Sequence, residues 1–153
     1  MATTKVLVPV RKPSGDFCIY EIEQDHLNWP EMREIWAKAS IERPFCFAPP
    51  EEKLDVFFSY ACKAAAMPIS LGTVFNPSWS QLFIKTIKHD CLVISASLSS
   101  YLIQSPLFEQ ILPDFKQLAI IGTASDHALE TLSARHAHLD IHILPNPVEE
   151  LSK

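Results

Sequence analysis

The sequence predicts an α/β protein: a mainly parallel sheet with helices on both faces, preceded by an N-terminal antiparallel hairpin and a helix. Three observations predict it. Two continuous apolar runs, CLVISAS from Cys91 and QLAIIG from Gln117, are strand-sized and bounded by polar residues, the mark of strands covered on both faces. Helix-patterned stretches alternate with these runs through short joints, which predicts right-handed crossovers and a parallel sheet. At the amino end KVLVPVR and FCIYEIE alternate around KPSGD, where Gly15 is free to take a positive φ, so the two runs pair as an antiparallel hairpin.

The remaining elements follow in order. Asn28 caps a helix, with Glu31 three residues on and Pro30 in the first turn. Trp29, Met32, Ile35 and Trp36 give that helix one apolar stripe. ERPFCFAPPEE (42–52) holds Pro44, Pro49 and Pro50, which excludes a regular helix or a central strand and reads as a connector. The chain is then a single α/β domain, 1–153: a hairpin–helix module (1–41), the Pro-rich connector (42–52) and a βαβ core (53–153). KLDVFFSYACKAAAM is a helix or a strand running into a helix, since VFFSY favours one and ACKAAAM the other. ISLGTVF (69–75) is a strand. Asn76–Pro77–Ser78 opens a helix with Trp79, Leu82, Phe83 and Ile87 on one face. The stretch 98–115 is helical with a break at Pro106. Ser125 or Asp126 caps DHALETLSARHAHL, and DIHILP is a final strand. Trp29, Trp36, Trp79 and the nine phenylalanines read as core.

Composition narrows the function classes. The chain has 153 residues, enough to bury roughly 70% of its unfolded surface. Apolar residues make up 48% and charged ones 20%, which is globular composition. A net charge of −5 provides no basic footprint, so no nucleic-acid partner is expected. No apolar run reaches the length of a membrane span and the amino end shows no secretory pattern; a cytoplasmic location without membrane attachment is the expectation. Cys18, Cys46, Cys62 and Cys91 form no CxxC pair and fit no zinc spacing, so they read as reduced packing residues. With 3 glycines there is no Gly-rich phosphate cradle, and no cofactor is expected.

The order LGTVF, SQLFIKTIKHDCLVISASLSSYLIQSP, FKQLAIIGTASDHALETL and DIHILPNPVEE resembles a stretch of the acyl-adenylate-forming enzymes, the acyl- and aryl-CoA ligases and adenylation domains, over about residues 69–150. The resemblance implies their α/β shape. It does not imply their activity. Where that family carries a tyrosine–glycine–x–threonine–glutamate segment, this chain reads Pro145–Asn146–Pro147–Val148–Glu149, and only Glu149 matches. The family's Ser/Thr/Gly-rich phosphate loop has no counterpart before residue 69, and its later ribose-binding aspartate and catalytic lysine would lie beyond Lys153. The resemblance therefore implies a piece of the fold without competence for adenylation.

Two constellations carry candidate chemistry. In parallel α/β sheets, ligands bind at the carboxyl ends of the strands, which points to Ser95, Ser97, Gly122, Thr123 and Ser125, with His127 nearby and Glu149 from the family motif. SASLSS lacks the nucleophile elbow GxSxG, and helix capping explains its serines, so no catalytic residue is assigned. His138, Asp140 and His142 share one face of the last strand and offer nitrogen and oxygen ligands for a metal such as zinc. The competing reading is a solvated edge face opposite Leu139, Ile141 and Ile143, because three ligands rarely come from one strand.

The expectation is a non-catalytic binding or assembly protein, with the hairpin and first helix forming a homodimer or protein-partner surface. The alternative is a small flavodoxin-like ligand-binding protein or enzyme acting on an acyl or aryl acid or a CoA thioester at the strand ends. An extended apolar surface on the N-terminal module would favour assembly.

Overall fold

In a computed structural model, residues 4–11, 14–72 and 77–151 are described, without the side chains of 50, 77–81 and 107. The end of the ISLGTVF run, the Asn76 opener and the Trp79 side chain lie outside the described residues. The hairpin forms as expected: β1 (Lys5–Arg11) and β2 (Phe17–Glu23) pair antiparallel from Lys5↔Glu23 to Arg11↔Phe17. Asn28 does not cap the next helix. It ends a short preceding one, α1 (Gln24–Leu27), with its N–H on the Gln24 carbonyl at 2.9 Å. Helix α2 (Pro30–Ala39) starts without a side-chain cap behind Trp29, which sits at φ 52°. Burial of the Trp29 ring edge-on to Phe57 sets the backbone there, and Pro30 has no N–H that needs a cap. Trp29, Met32 and Trp36 are buried as the stripe predicts.

The main correction concerns 42–52. Pro44–Phe47 is a strand, β3, and all four residues are buried. Pro44 is its first residue, where a missing N–H matters least. Phe45, Cys46 and Phe47 then behave as a short apolar run. Asp90 secures the entry: its carboxylate accepts from the Glu42 and Arg43 backbone N–H groups at 2.9 and 3.0 Å. The ambiguous segment resolves as helix α3 (Leu54–Ala64), and β4 is only Leu71–Gly72. Then come α4 (Pro77–Thr86), β5 (Cys91–Ser95), α5 (Ser99–Gln104) and α6 (Pro106–Ile111), the last two separated at Pro106 as predicted. After β6 (Gln117–Ile121), α7 (Asp126–Arg135) is capped by Ser125, whose Oγ accepts from the Ala128 N–H at 3.1 Å. Strand β7 (Asp140–Leu144) and α8 (Pro147–Glu150) follow.

Among the described residues the sheet has five strands, all parallel, in the order β4-β3-β5-β6-β7. The strand residues sort by size between its two faces. Cys46, Cys91, Val93 and Ala119 face the hairpin, α2, α3 and α8, which bring the large rings Trp36, Phe57 and Phe58. Phe45, Phe47, Leu92, Ile94, Leu118 and Ile120 face α4 to α7. Large side chains meet small ones on the first face, so the two layers interdigitate.

All four cysteines are free thiols, and only Cys18 is half-exposed. Burial pushes the Cys62 and Cys91 thiols up to about 12 and the Cys46 thiol higher still. The thiolate is the reacting species. A disulfide-exchange reagent should therefore titrate one thiol per native chain at pH 8 and four after denaturation. Fast reaction of more than one native thiol would contradict the burial of β3, α3 and β5.

Candidate functional site

The strand order places a crevice. From β3 the chain steps outward through α3 to β4, then returns through α4 past β3 to β5, on the opposite side. Numbered from β3, the order is 2-1-3-4-5, the flavodoxin-like doubly wound order, whose switch point lies between the first and third strands. Here that point is the carboxyl ends of β3 and β5, Phe47 and Ser95. Doubly wound proteins bind ligands at this place.

In this protein it is held by a glutamate. After β3, Pro49 and Pro50 end the strand and a 3-10 turn (Pro50–Glu52) carries Glu52 back over the ends. Ser95 Oγ donates to Glu52 Oε1 at 2.6 Å, and Ser97 Oγ donates to Oε2 at 2.8 Å. The two hydroxyl oxygens are 2.9 Å apart, and the Ser97 N–H reaches Ser95 Oγ at 3.3 Å. Ser95 is 1% exposed. Lys53, next in the chain, sits at φ 61° and starts α3. One negative charge, satisfied on both oxygens, thus occupies the switch point and repels an incoming phosphate. Beside it, Pro9, Arg11, Phe17, Glu51 and Lys53 line a cavity of about 230 Å³ at the turn end of the hairpin, with the Arg11 guanidinium 5.1 Å from the centre of the Phe17 ring.

The structure brings Ser95 and Ser97 together and adds Glu52, which sequence reasoning missed. Its only signal was an acidic pair directly after a strand hidden among prolines. The other expected ligand residues are engaged differently. Gly122, at φ +112°, donates its N–H to the Leu144 carbonyl at 2.8 Å. Ser125 is the cap of α7, and Thr123 and His127 are exposed. Glu149 is an exposed residue of α8, whose cap is Asn146, with Oδ1 accepting from the Val148 N–H at 2.9 Å.

The expected metal residues are not gathered at one point. His138 precedes β7 and hydrogen-bonds the Leu112 carbonyl at 3.1 Å. His142 donates to Gln117 Oε1 at 2.6 Å, and Gln117 Nε2 donates to Asp140 at 3.0 Å. The Gln117 amide, another residue missed from sequence, satisfies both groups within the sheet. Among the described residues no three His, Cys, Asp or Glu side chains are grouped to hold a metal ion. The opposite face also departs from expectation: Leu139 is buried but Ile143 is 51% exposed, because β7 is an edge strand with β6 as its single neighbour.

No family profile matches the sequence, and no curated protein does. Among solved structures, the chain is similar to the adenylation domain of a carboxylate reductase from Mycobacterium chelonae, with a TM-score of 0.46 and 11% identity over 97% of this chain and 25% of that one. It is also similar to the A-PCP didomain of a carboxylic acid reductase from Segniliparus rugosus, solved in complex with AMP, with a TM-score of 0.44 and 10% identity over 97% of this chain and 23% of that one. The chain spans about a quarter of the length of these structures. The resemblance to the adenylate-forming fold is partial and concerns shape alone. Among the described residues no helix is long and apolar enough to cross a membrane.

Proposed function

We propose that the protein is a non-catalytic assembly protein that pairs with a second copy through its N-terminal hairpin. One observation carries this reading. Leu7, Phe17 and Ile19 are 66%, 68% and 70% exposed on the outer face of β1 and β2. Register puts them side by side, with Pro9 opposite Ile19 and Arg11 opposite Phe17. The inner face of the same hairpin is already used, since Val8, Val10 and Ile22 belong to the core. A contiguous apolar face on a two-stranded ribbon calls for a covering surface.

Charge favours a second copy as the cover. The outer face carries Lys5 and Arg11 on β1 and Glu21 and Glu23 on β2. A two-fold axis along the strands lays β1 of one copy over β2 of the other. Lys5 then meets the second copy's Glu23, and Arg11 meets its Phe17. The Glu52 seat at the switch point supports the non-catalytic part, because it fills the place a substrate group would take. The strand order itself favours the alternative, a flavodoxin-like protein acting on an acyl or aryl acid or a CoA thioester.

Light scattering after size-exclusion chromatography tests the pairing. The wild-type chain should elute at twice its chain mass, and a Phe17→Ser, Ile19→Ser variant at its chain mass. Both side chains are exposed in the monomer, so the variant's stability should change by no more than about 0.5 kcal/mol per site. A monomeric wild type, or a variant that stays dimeric, would sink the proposal.

A further inference from the structure

The sheet is open along β7. The Asp140 N–H donates to the Lys116 carbonyl at 3.0 Å, and the Leu144 carbonyl accepts from the Gly122 N–H at 2.8 Å. In a parallel ladder every second residue turns both backbone groups to its neighbour. Asp140, His142 and Leu144 therefore face β6, and Ile141 and Ile143 turn their N–H and C=O groups outward. Among the described residues these outward groups have no partner. The free stretch is bounded on both sides: the Leu139 N–H is used by the His136 carbonyl at 3.0 Å, and Pro145 has no N–H. Edge strands that stay single are normally blunted by a lysine, an internal proline or a bulge. Asp140–Leu144 has none of these, and its one charged residue, Asp140, is tied to Gln117. The exposed Ile143 adds an apolar side chain beside the open groups.

We propose that β7 pairs antiparallel with β7 of a second copy, about a two-fold axis through His142, and so joins two five-stranded sheets edge to edge. The free stretch is complementary to itself. That axis sets Ile141 opposite the second copy's Ile143, and Ile143 opposite its Ile141. Each is a hydrogen-bonded pair that exchanges both N–H···O bonds, so every outward group finds a partner and none is left over. Neighbouring registers do worse. An axis through Ile141 sets Ile143 against the second copy's Leu139, whose N–H is already used, and an axis through Ile143 sets Ile141 against its Pro145, which has no N–H to give. The side chains agree with the backbone: Ile143 comes to lie against the second copy's Ile141, which packs on the core of its own chain. Asp140 falls opposite Leu144, so no carboxylate faces another despite the net charge of −5. Two short strands bury far less than the roughly 1,200 Å² of a stable interface, so the contact is weak and forms at high concentration. It is separate from the hairpin face and does not rest on the hairpin pairing; the two contacts together string copies into a row.

The test uses the full chain carrying Phe17→Ser and Ile19→Ser, which removes the hairpin face. Sedimentation equilibrium is run from about 10 μM to about 1 mM, the range a weak contact requires. The chain should be monomeric at the dilute end and about half paired at the concentrated end. Amide hydrogen exchange locates the contact. The Ile141 and Ile143 amides should slow at least about twofold between the two ends, and the His142 amide, bonded within the sheet, should be slow at both. Adding Ile143→Lys puts a charge on the edge at an exposed position, so the unfolding midpoint should hold while association weakens at least about tenfold. A mass that stays monomeric up to the concentrated end, pairing that leaves the Ile141 and Ile143 amides unprotected, or an Ile143→Lys chain that pairs as well as its parent would overturn the proposal. A wild-type chain that is monomeric at the dilute end sinks the hairpin pairing alone, so the two readings fail separately.

Discussion

Phe47→Ala should destabilise the protein by about 3–5 kcal/mol, the cost of removing a buried aromatic ring and leaving its cavity. The melting temperature should fall by on the order of 10 °C for a chain of this size. The reason lies in the position of β3. Phe47 is 1% exposed, pairs with Gly72 on one side and Ile94 on the other, and meets Phe108 edge-on at 5.2 Å. The backbone around it is fixed on both sides, so the hole cannot collapse, and the loss should fall at the upper end of the range. Phe47→Leu refills most of the volume and should cost less than half as much. Denaturant unfolding followed by circular dichroism gives both values. A Phe47→Ala loss near 1 kcal/mol would mean that residues 44–47 are peripheral, as the prolines alone suggest.

That contrast shows where the fold was legible. β5 and β6 are written plainly, because five consecutive buried residues leave no competing pattern. The hairpin is as clear, since alternation and a Gly-containing turn agree. β3 was hidden because Pro44, Pro49 and Pro50 bracket a run of three buried residues. Proline at a strand's first position and just past its end breaks no ladder bond, but in sequence it looks like a break. Asn28 misled for the opposite reason. It has the residue type of a cap, yet tertiary packing of Trp29 on Phe57 decided where the helix begins.

The candidate site was half legible. Ser95 and Ser97 follow from the rule that parallel strands present their carboxyl ends to ligands. Glu52 could not be found the same way, because its role depends on β3 being recognised first and on a contact to Ser95 across a sequence separation of 43. His89 reads in IKHD as one more polar residue at a helix end. Only the packing of Phe45 and Phe83 around it shows that it is buried. Long-range contacts of this kind carry no local sequence signature.

Gly122→Val should cost about 3 kcal/mol or more, from two separable causes. The first is the backbone. At φ +112° a residue with a Cβ is strained by on the order of 1–3 kcal/mol, and a β-branched one most of all. The turn cannot relax easily, because the Gly122 N–H is tied to the Leu144 carbonyl at 2.8 Å and so joins the ends of β6 and β7. The second is space. A Cβ at Gly122 would lie 3.2 Å from the Ala96 Cβ, and Ala96 stands between the two serines that hold Glu52. Gly122→Ala isolates the smaller form of both causes and should cost about 2 kcal/mol. Adding Ala96→Gly removes the contact and leaves the strain, so a double-mutant cycle should show a favourable coupling of about 0.5–1 kcal/mol. Zero coupling would assign the whole cost to backbone strain. A Gly122→Val loss under about 1 kcal/mol would mean that the turn after β6 yields freely, and that Ala96, Ser95 and Ser97 are not pinned as the Glu52 seat requires.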